Sequence, residues 1–77
     1  MPVKAYILVD TAAGSKTRDI IQKIKAIKAV QSAEAISGPH DMIVVAEASD
    51  LQSLGDMVLT KIRTIEGVMK TITCCCV

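Results

Sequence analysis

Ile20-Ile21-Gln22-Lys23-Ile24-Lys25-Ala26-Ile27-Lys28-Ala29-Val30 returns 38 positions later as Val58-Leu59-Thr60-Lys61-Ile62-Arg63-Thr64-Ile65-Glu66-Gly67-Val68, in a chain of 77 residues. Ile20 matches Val58, Ile21 matches Leu59, Lys23 matches Lys61 and Ile24 matches Ile62. Lys25 matches Arg63, Ile27 matches Ile65 and Val30 matches Val68. Ile20, Ile21, Ile24 and Ile27 recur at helical spacing with charged residues between them, so the first copy reads as an amphipathic helix. In the second copy Val58, Ile62 and Ile65 continue a pattern begun by Leu51 and Leu54. A pattern that recurs across half the chain means two equivalent structural units.

Working outward, each helix follows a strand and precedes one. Val3 to Asp10 is apolar on both faces of an extended chain: Val3, Ala5, Ile7 and Val9 point one way, Tyr6 and Leu8 the other. Asp41 to Ala48 repeats that character. Val30 to Ser37 and Val68 to about Cys76 complete the units. Ser15 predicts the cap of a helix running from Lys16 to Lys28. Ser49-Asp50-Leu51-Gln52 predicts a capping box, with Ser49 as cap and Gln52 reaching back. Gly55 inside the second helix should cost about 1 kcal/mol relative to Ala, and a close helix–sheet contact would account for it. Glu66-Gly67 closes that helix. The order β-α-β-β-α-β is the α+β, ferredoxin-like arrangement. Right-handed crossovers put both helices on one face of a four-stranded antiparallel sheet. The other face, equally apolar, needs a cover, and a second copy in a two-fold dimer supplies one.

Composition narrows the function classes. A single domain this small buries only about 60% of the surface its unfolded chain exposes, which favours a partner subunit. One Tyr and no Phe or Trp leave little for base stacking. The net charge of +1 sets up no strong field for DNA or membrane. Lys16, Arg18, Lys23, Lys25 and Lys28, with only Asp19 against them, read as a solvated helix face. No run approaches the roughly 18 apolar residues of a membrane span. Met1-Pro2-Val3-Lys4 lacks a signal-peptide layout. The expectation is a cytoplasmic protein with no membrane partner and reduced cysteines.

Two motifs carry chemistry. Cys74-Cys75-Cys76 ends the last strand, where alternation puts Cys74 and Cys76 on one side and Cys75 on the other. There is no second cluster, and His40 alone would not complete a tetrahedral zinc site. The run reads as a strand end, ahead of thiol reactivity or a metal role, and no metal or cofactor is expected. Ser37-Gly38-Pro39-His40-Asp41 holds the only histidine, beside a carboxylate. An acid–base pair needs further polar groups; Ser37, Thr71 and Thr73 are the nearest candidates by pattern. A turn is mechanically sufficient, with Pro39 preset for its second position and Gly38 free to take an unusual backbone angle. A turn that also contacts a ligand is the third reading.

These residues resemble the effector-binding domain of the leucine-responsive regulator/AsnC (Lrp/AsnC) family, the regulation-of-amino-acid-metabolism (RAM) domain. The family pattern is Thr/Ser-Gly-x-Tyr-Asp, an apolar strand, a helix opened by an acidic residue, then Gly-Val-x-x-Thr-x-Thr. Here Ser37 to Asp41, Asp50, and Gly67-Val68-Met69-Lys70-Thr71-Ile72-Thr73 stand in that order, and the resemblance spans residues 1–77 as one domain. It implies a dimeric α/β barrel of two facing sheets, assembled into higher oligomers, with an amino-acid effector bound between dimers. It assigns Gly38, Pro39, His40 and Asp41 to that site, with Ser37, Thr71 and Thr73 beside them. His40 stands where the family has Tyr. The chain begins directly at the first strand with no helix-turn-helix, so direct DNA binding does not carry over.

The function expected is therefore a non-enzymatic sensor for a small amino-acid-like effector, acting on a partner regulator. The alternatives are a dimeric α/β-barrel oxygenase or isomerase, and an ACT-like amino-acid-binding module suggested weakly by Asp10-Thr11-Ala12-Ala13-Gly14. A heavy-metal-associated domain would need C-x-x-C after the first strand, and this loop has no cysteine.

Overall fold

The computed structural model describes residues 2–77; Met1, part of the segment read for a signal peptide, lies outside them. The chain runs β1 (Val3–Thr11), α1 (Thr17–Lys25), β2 (Val30–Ala35), β3 (Met42–Ala48), α2 (Leu51–Met57) and β4 (Val68–Cys75). The strands form one antiparallel sheet in the order β2-β3-β1-β4. This is the ferredoxin-like βαββαβ topology that the internal repeat predicts.

The alternation in β1 and β3 decides where the core sits. Ala5, Ile7 and Val9 are fully buried, as are Met42, Val44 and Ala46 across from them. Ile20 and Ile24 of α1, and Leu54, Met57, Val58 and Ile62 of the second helical stretch, close over them. Burying a side chain of this size stabilises the fold by about 1.5–3 kcal/mol. The opposite face carries Tyr6 and Leu8 of β1, Ile43 and Val45 of β3, and Ile72 and Cys74 of β4. No helix of the described residues covers it. Tyr6 remains 39% exposed, while Leu8, Ile43, Val45 and Ile72 are half-buried by their neighbours alone.

Helix ends differ in detail from the sequence reading. Lys16, not Ser15, occupies the cap position of α1, and no side chain caps it. Ser15 instead donates its N–H to the Ala12 carbonyl, 3.0 Å away, within the preceding turn. In α2 the cap is Asp50, one residue beyond Ser49, and its Oδ1 accepts the Ser53 N–H at 2.7 Å. A carboxylate is favoured over a hydroxyl here because the helix start is the positive end of its dipole. The Ser53 hydrogen bond holds the Asp50 carboxyl below its ordinary pKa. Its contribution to stability is therefore present above the usual carboxylate range and is lost as pH falls through that lowered value.

α1 ends at Lys25 rather than Lys28, and Ile27 lies in the following turn. The second helix does not run unbroken to Glu66. From Val58 to Ile62 it widens into a π-helical segment, closed by Arg63 N–H to the Val58 carbonyl at 2.9 Å. Gly55 has open space where a Cβ would stand, so no close helix–sheet contact explains it. Gly67 does have a steric reason. Its φ is +97°, and a Cβ there would meet Ile20 Cδ1 at 2.8 Å and Ser15 Oγ at 3.0 Å. Its carbonyl accepts the Ala12 N–H at 2.8 Å, tying the end of the second unit to the start of the first.

Candidate functional site

The Ser37–Asp41 turn joins β2 to β3 at one end of the sheet. Ser37, Gly38 and Pro39 are exposed. Gly38 is not among the residues with positive φ, so the turn does not use its special freedom; its surroundings are open. The backbone anchors the turn at both sides: Asp41 N–H donates to the Val9 carbonyl at 3.1 Å, and Ile36 N–H to the Asp41 carbonyl at 3.0 Å.

The β1–β3 register pairs Val9 with Met42, which brings the end of β1 beside the turn. Two side-chain contacts result. His40 Nδ1 lies 2.9 Å from Asp10 Oδ1, with both side chains partly exposed. Asp41 Oδ2 accepts from the Thr11 N–H at 2.8 Å and from Thr11 Oγ1 at 3.1 Å. A carboxylate beside Nδ1 favours the tautomer with the proton on that nitrogen, which leaves Nε2 as an acceptor. Asp41 Oδ1 takes part in none of the hydrogen bonds among the described residues. The turn thus presents an imidazole of fixed orientation and a carboxylate with one oxygen free. Asp10 and Thr11 join the site although the motif itself does not contain them. They lie 30 positions from their partners, and only the strand register reveals them.

Thr71 and Thr73 are placed elsewhere within one chain. Thr71 pairs with Val9 and Thr73 with Ile7, so both share the helix-facing side of β4. They line a groove of about 430 Å³ between α2 and this edge strand, with Leu51, Gly55, Leu59 and Cys75. A second cleft, of about 460 Å³, lies under the start of α1 between Gly14 and Gly67. The space between helices and sheet is filled by apolar side chains, and no buried polar or charged residue is found among the described residues. Among those residues no three His, Cys, Asp or Glu side chains converge as metal ligands. All three cysteines are free and exposed. No helix of the described residues is long and apolar enough to cross a membrane.

With this geometry in place, comparison with known proteins decides the family. The Lrp/AsnC ligand-binding-domain model matches residues 4–77. The chain belongs to that family. This Lrp/AsnC domain is 31% identical over 71 residues to an uncharacterised HTH-type transcriptional regulator of Pyrococcus horikoshii, covering 90% of this chain and 47% of the relative. It therefore spans just under half the length of that regulator. The crystal structure of FFRP-DM1 superposes with a TM-score of 0.89 at 35% identity, over 97% of this chain and 99% of that one. The feast or famine regulatory protein of M. tuberculosis, solved in complex with L-methionine, shares the fold at a TM-score of 0.83 and 19% identity. That match covers 97% of this chain and 50% of the other.

Proposed function

We infer that this Lrp/AsnC domain is a non-enzymatic module that binds a small amino-acid-like effector and passes its presence to a partner regulator. The observation that carries the reading is the Ser37–Asp41 turn, where His40 Nε2 and one Asp41 oxygen are free beside exposed backbone. An amino acid has both groups such a turn accepts: an ammonium for the carboxylate, and a carboxylate for exposed amides. Two regulators of the same fold were solved with L-methionine, which supports the ligand class.

The uncovered sheet face supports pairing through that face with a second copy, giving a dimeric α/β barrel. Burying about 1,000 Å² or more in such an interface would stabilise a domain with little margin of its own. Thr71 and Thr73 lie on the opposite face from Tyr6 and Leu8. A site between dimers would bring these threonines and a Ser37–Asp41 turn of different chains to one effector.

The test is calorimetric titration of the purified domain against the twenty amino acids, then titration of Asp41→Asn with the best ligand. Asn keeps an oxygen for the Thr11 N–H and removes the charge. A charge-assisted hydrogen bond contributes about 1.5–3 kcal/mol, so affinity should fall roughly ten- to a hundredfold with little change in Tm. If no amino acid binds, the reading fails. If the variant binds normally but melts many degrees lower, Asp41 serves only to clasp Thr11.

A further inference from the structure

The internal repeat relates two surface clefts, and comparing them singles one out. The cleft of about 460 Å³ under the start of α1 is lined in part by Asp19, Lys23, Glu66 and Gly67. A groove of about 500 Å³ between the end of α1 and α2 is lined in part by Met57, Lys61, Lys28 and Ala29. Within the matched stretch, Lys23 corresponds to Lys61, Lys28 to Glu66 and Ala29 to Gly67, each pair 38 positions apart. Just ahead of that stretch, Asp19 stands against Met57. The framework is shared and the chemistry is not. Where the first cleft sets two carboxylates among its lysines, the second has an apolar side chain and a further lysine.

We propose that the groove between α1 and α2 is the docking surface for an acidic, amphipathic peptide segment of a partner protein. This rests on the reading that the domain acts on a partner regulator, and it names the surface that partner uses. Lys23, Lys28 and Lys61 rim the groove, and no carboxylate lines it. The one ion pair among the described residues joins His40 to Asp10, so none of these lysines is neutralised by its own chain. Like charges gathered at one opening repel, and an arriving anion relieves that repulsion.

The floor decides which anion. Ala26, Ile27 and Met57 make it apolar, so a side chain that enters must gain by leaving water. A nucleic-acid backbone would meet the lysines and leave that floor wet, and no aromatic side chain lines the groove for a base to stack on. A leucine or methionine flanked by aspartate or glutamate satisfies both the floor and the rim. The volume is in the ordinary range for a ligand cleft, which suits a short segment. The groove also stays open in the proposed dimer. It lies in the helical layer, opposite the sheet face of Tyr6 and Leu8, and on the α1 flank of α2. The groove of Thr71 and Thr73 lies on the β4 flank of that helix.

The experiment is fluorescence anisotropy of the intact chain with a panel of short labelled peptides, in which leucines are set among glutamates at helical or at strand spacing. At least one spacing should bind, and release as salt is raised. Lys28→Gln and Lys61→Gln should each weaken binding roughly two- to fivefold, as for an exposed ion pair. Replacing the peptide's leucines by serine should weaken it about tenfold or more. Lys25→Gln removes the same charge from α1 at a position that lines neither cleft, and it should leave binding unchanged. An equal loss in Lys25→Gln would mean diffuse attraction and overturn the site. So would binding indifferent to the leucines, or failure of every peptide. Phosphatidylglycerol vesicles or oligothymidylate that bind more tightly than any peptide, with losses in the Lys28 and Lys61 variants, would assign the groove to lipid or nucleic acid instead. No amino acid is present in this titration, so its outcome is independent of whether an effector binds at the Ser37–Asp41 turn. All three substituted lysines are exposed, so the variants fold and the comparison decides.

Discussion

The two faces of the sheet start from the same strands and end differently. Toward the helices, β1 and β3 present Ala5, Ile7, Val9, Met42, Val44 and Ala46, none of them accessible to water. Away from the helices, the same strands present Tyr6, Leu8, Ile43 and Val45, all left partly open. Hydropathy along the strands does not distinguish the faces; connectivity does. Both crossovers deliver their helices to one side, so the described residues complete one core and leave the other face partly open. The first face carries the fold's own stability, and the second is the face through which we propose that a second copy pairs.

The largest effect that sharpens this contrast lies on the covered face. Ile7→Ala removes a fully buried side chain under the helices and should cost about 2–5 kcal/mol, read as a lower midpoint in urea. On the open face, Val45→Asp should leave the circular dichroism of the chain native. It should weaken self-association by about 3 kcal/mol or more, roughly a hundredfold in dissociation constant, as measured by sedimentation equilibrium. If Val45→Asp unfolds the chain while association of the folded fraction is unchanged, the division between the two faces is broken. The smallest effect has the opposite sign. Gly55 is helical, exposed and faces open space, so Gly55→Ala should stabilise by up to about 1 kcal/mol, seen as a small rise in Tm.

The strands and their faces were legible because Val, Ile and Ala alternate in β1 and β3 whatever the chain later packs against. The repeat gave the topology, since two similar units leave few ways to share one sheet. The helix starts were misread by one residue because Ser15 and Ser49 are capping residue types by pattern, whereas Ser15 closes the preceding turn onto Ala12 and Asp50 follows Ser49 as a second capping type. In the second helix, Asp50 prevails through its charge at the helix start. At the candidate site, the sequence shows His40 and Asp41 as neighbours and suggests a dyad between them. The structure gives each a separate partner, Asp10 and Thr11. Those partners come from another strand, and each contact runs diagonally across the β1–β3 register that pairs Val9 with Met42. Nothing within the five-residue motif specifies that register. The gathering of Thr71 and Thr73 on the far side of β4 is likewise a matter of strand parity, which a motif read as a string does not convey.

The π-helical segment has a consequence best stated as phase. Leu54, Val58 and Ile62 are spaced four apart and all face the core. In an unbroken α-helix each step of four overshoots a full turn by about 40°, so three such residues would wind off the sheet by about 80°. A turn closed from i to i+5 takes roughly one residue more than an α-turn. Between Val58 and Ile62 the angle therefore falls back, and it cancels the overshoot accrued between Leu54 and Val58. α1 has no such correction and buries only one four-residue pair, Ile20 and Ile24. The first unit is thus a short helix in natural phase, and the second is a longer one retuned partway along. The retuned residues Val58–Ile62 are the ones that match Ile20–Ile24, so the two units differ in helical phase where their sequences agree. The match begins at Ile20 and Val58, and Thr17-Arg18-Asp19 has no counterpart in Gly55-Asp56-Met57.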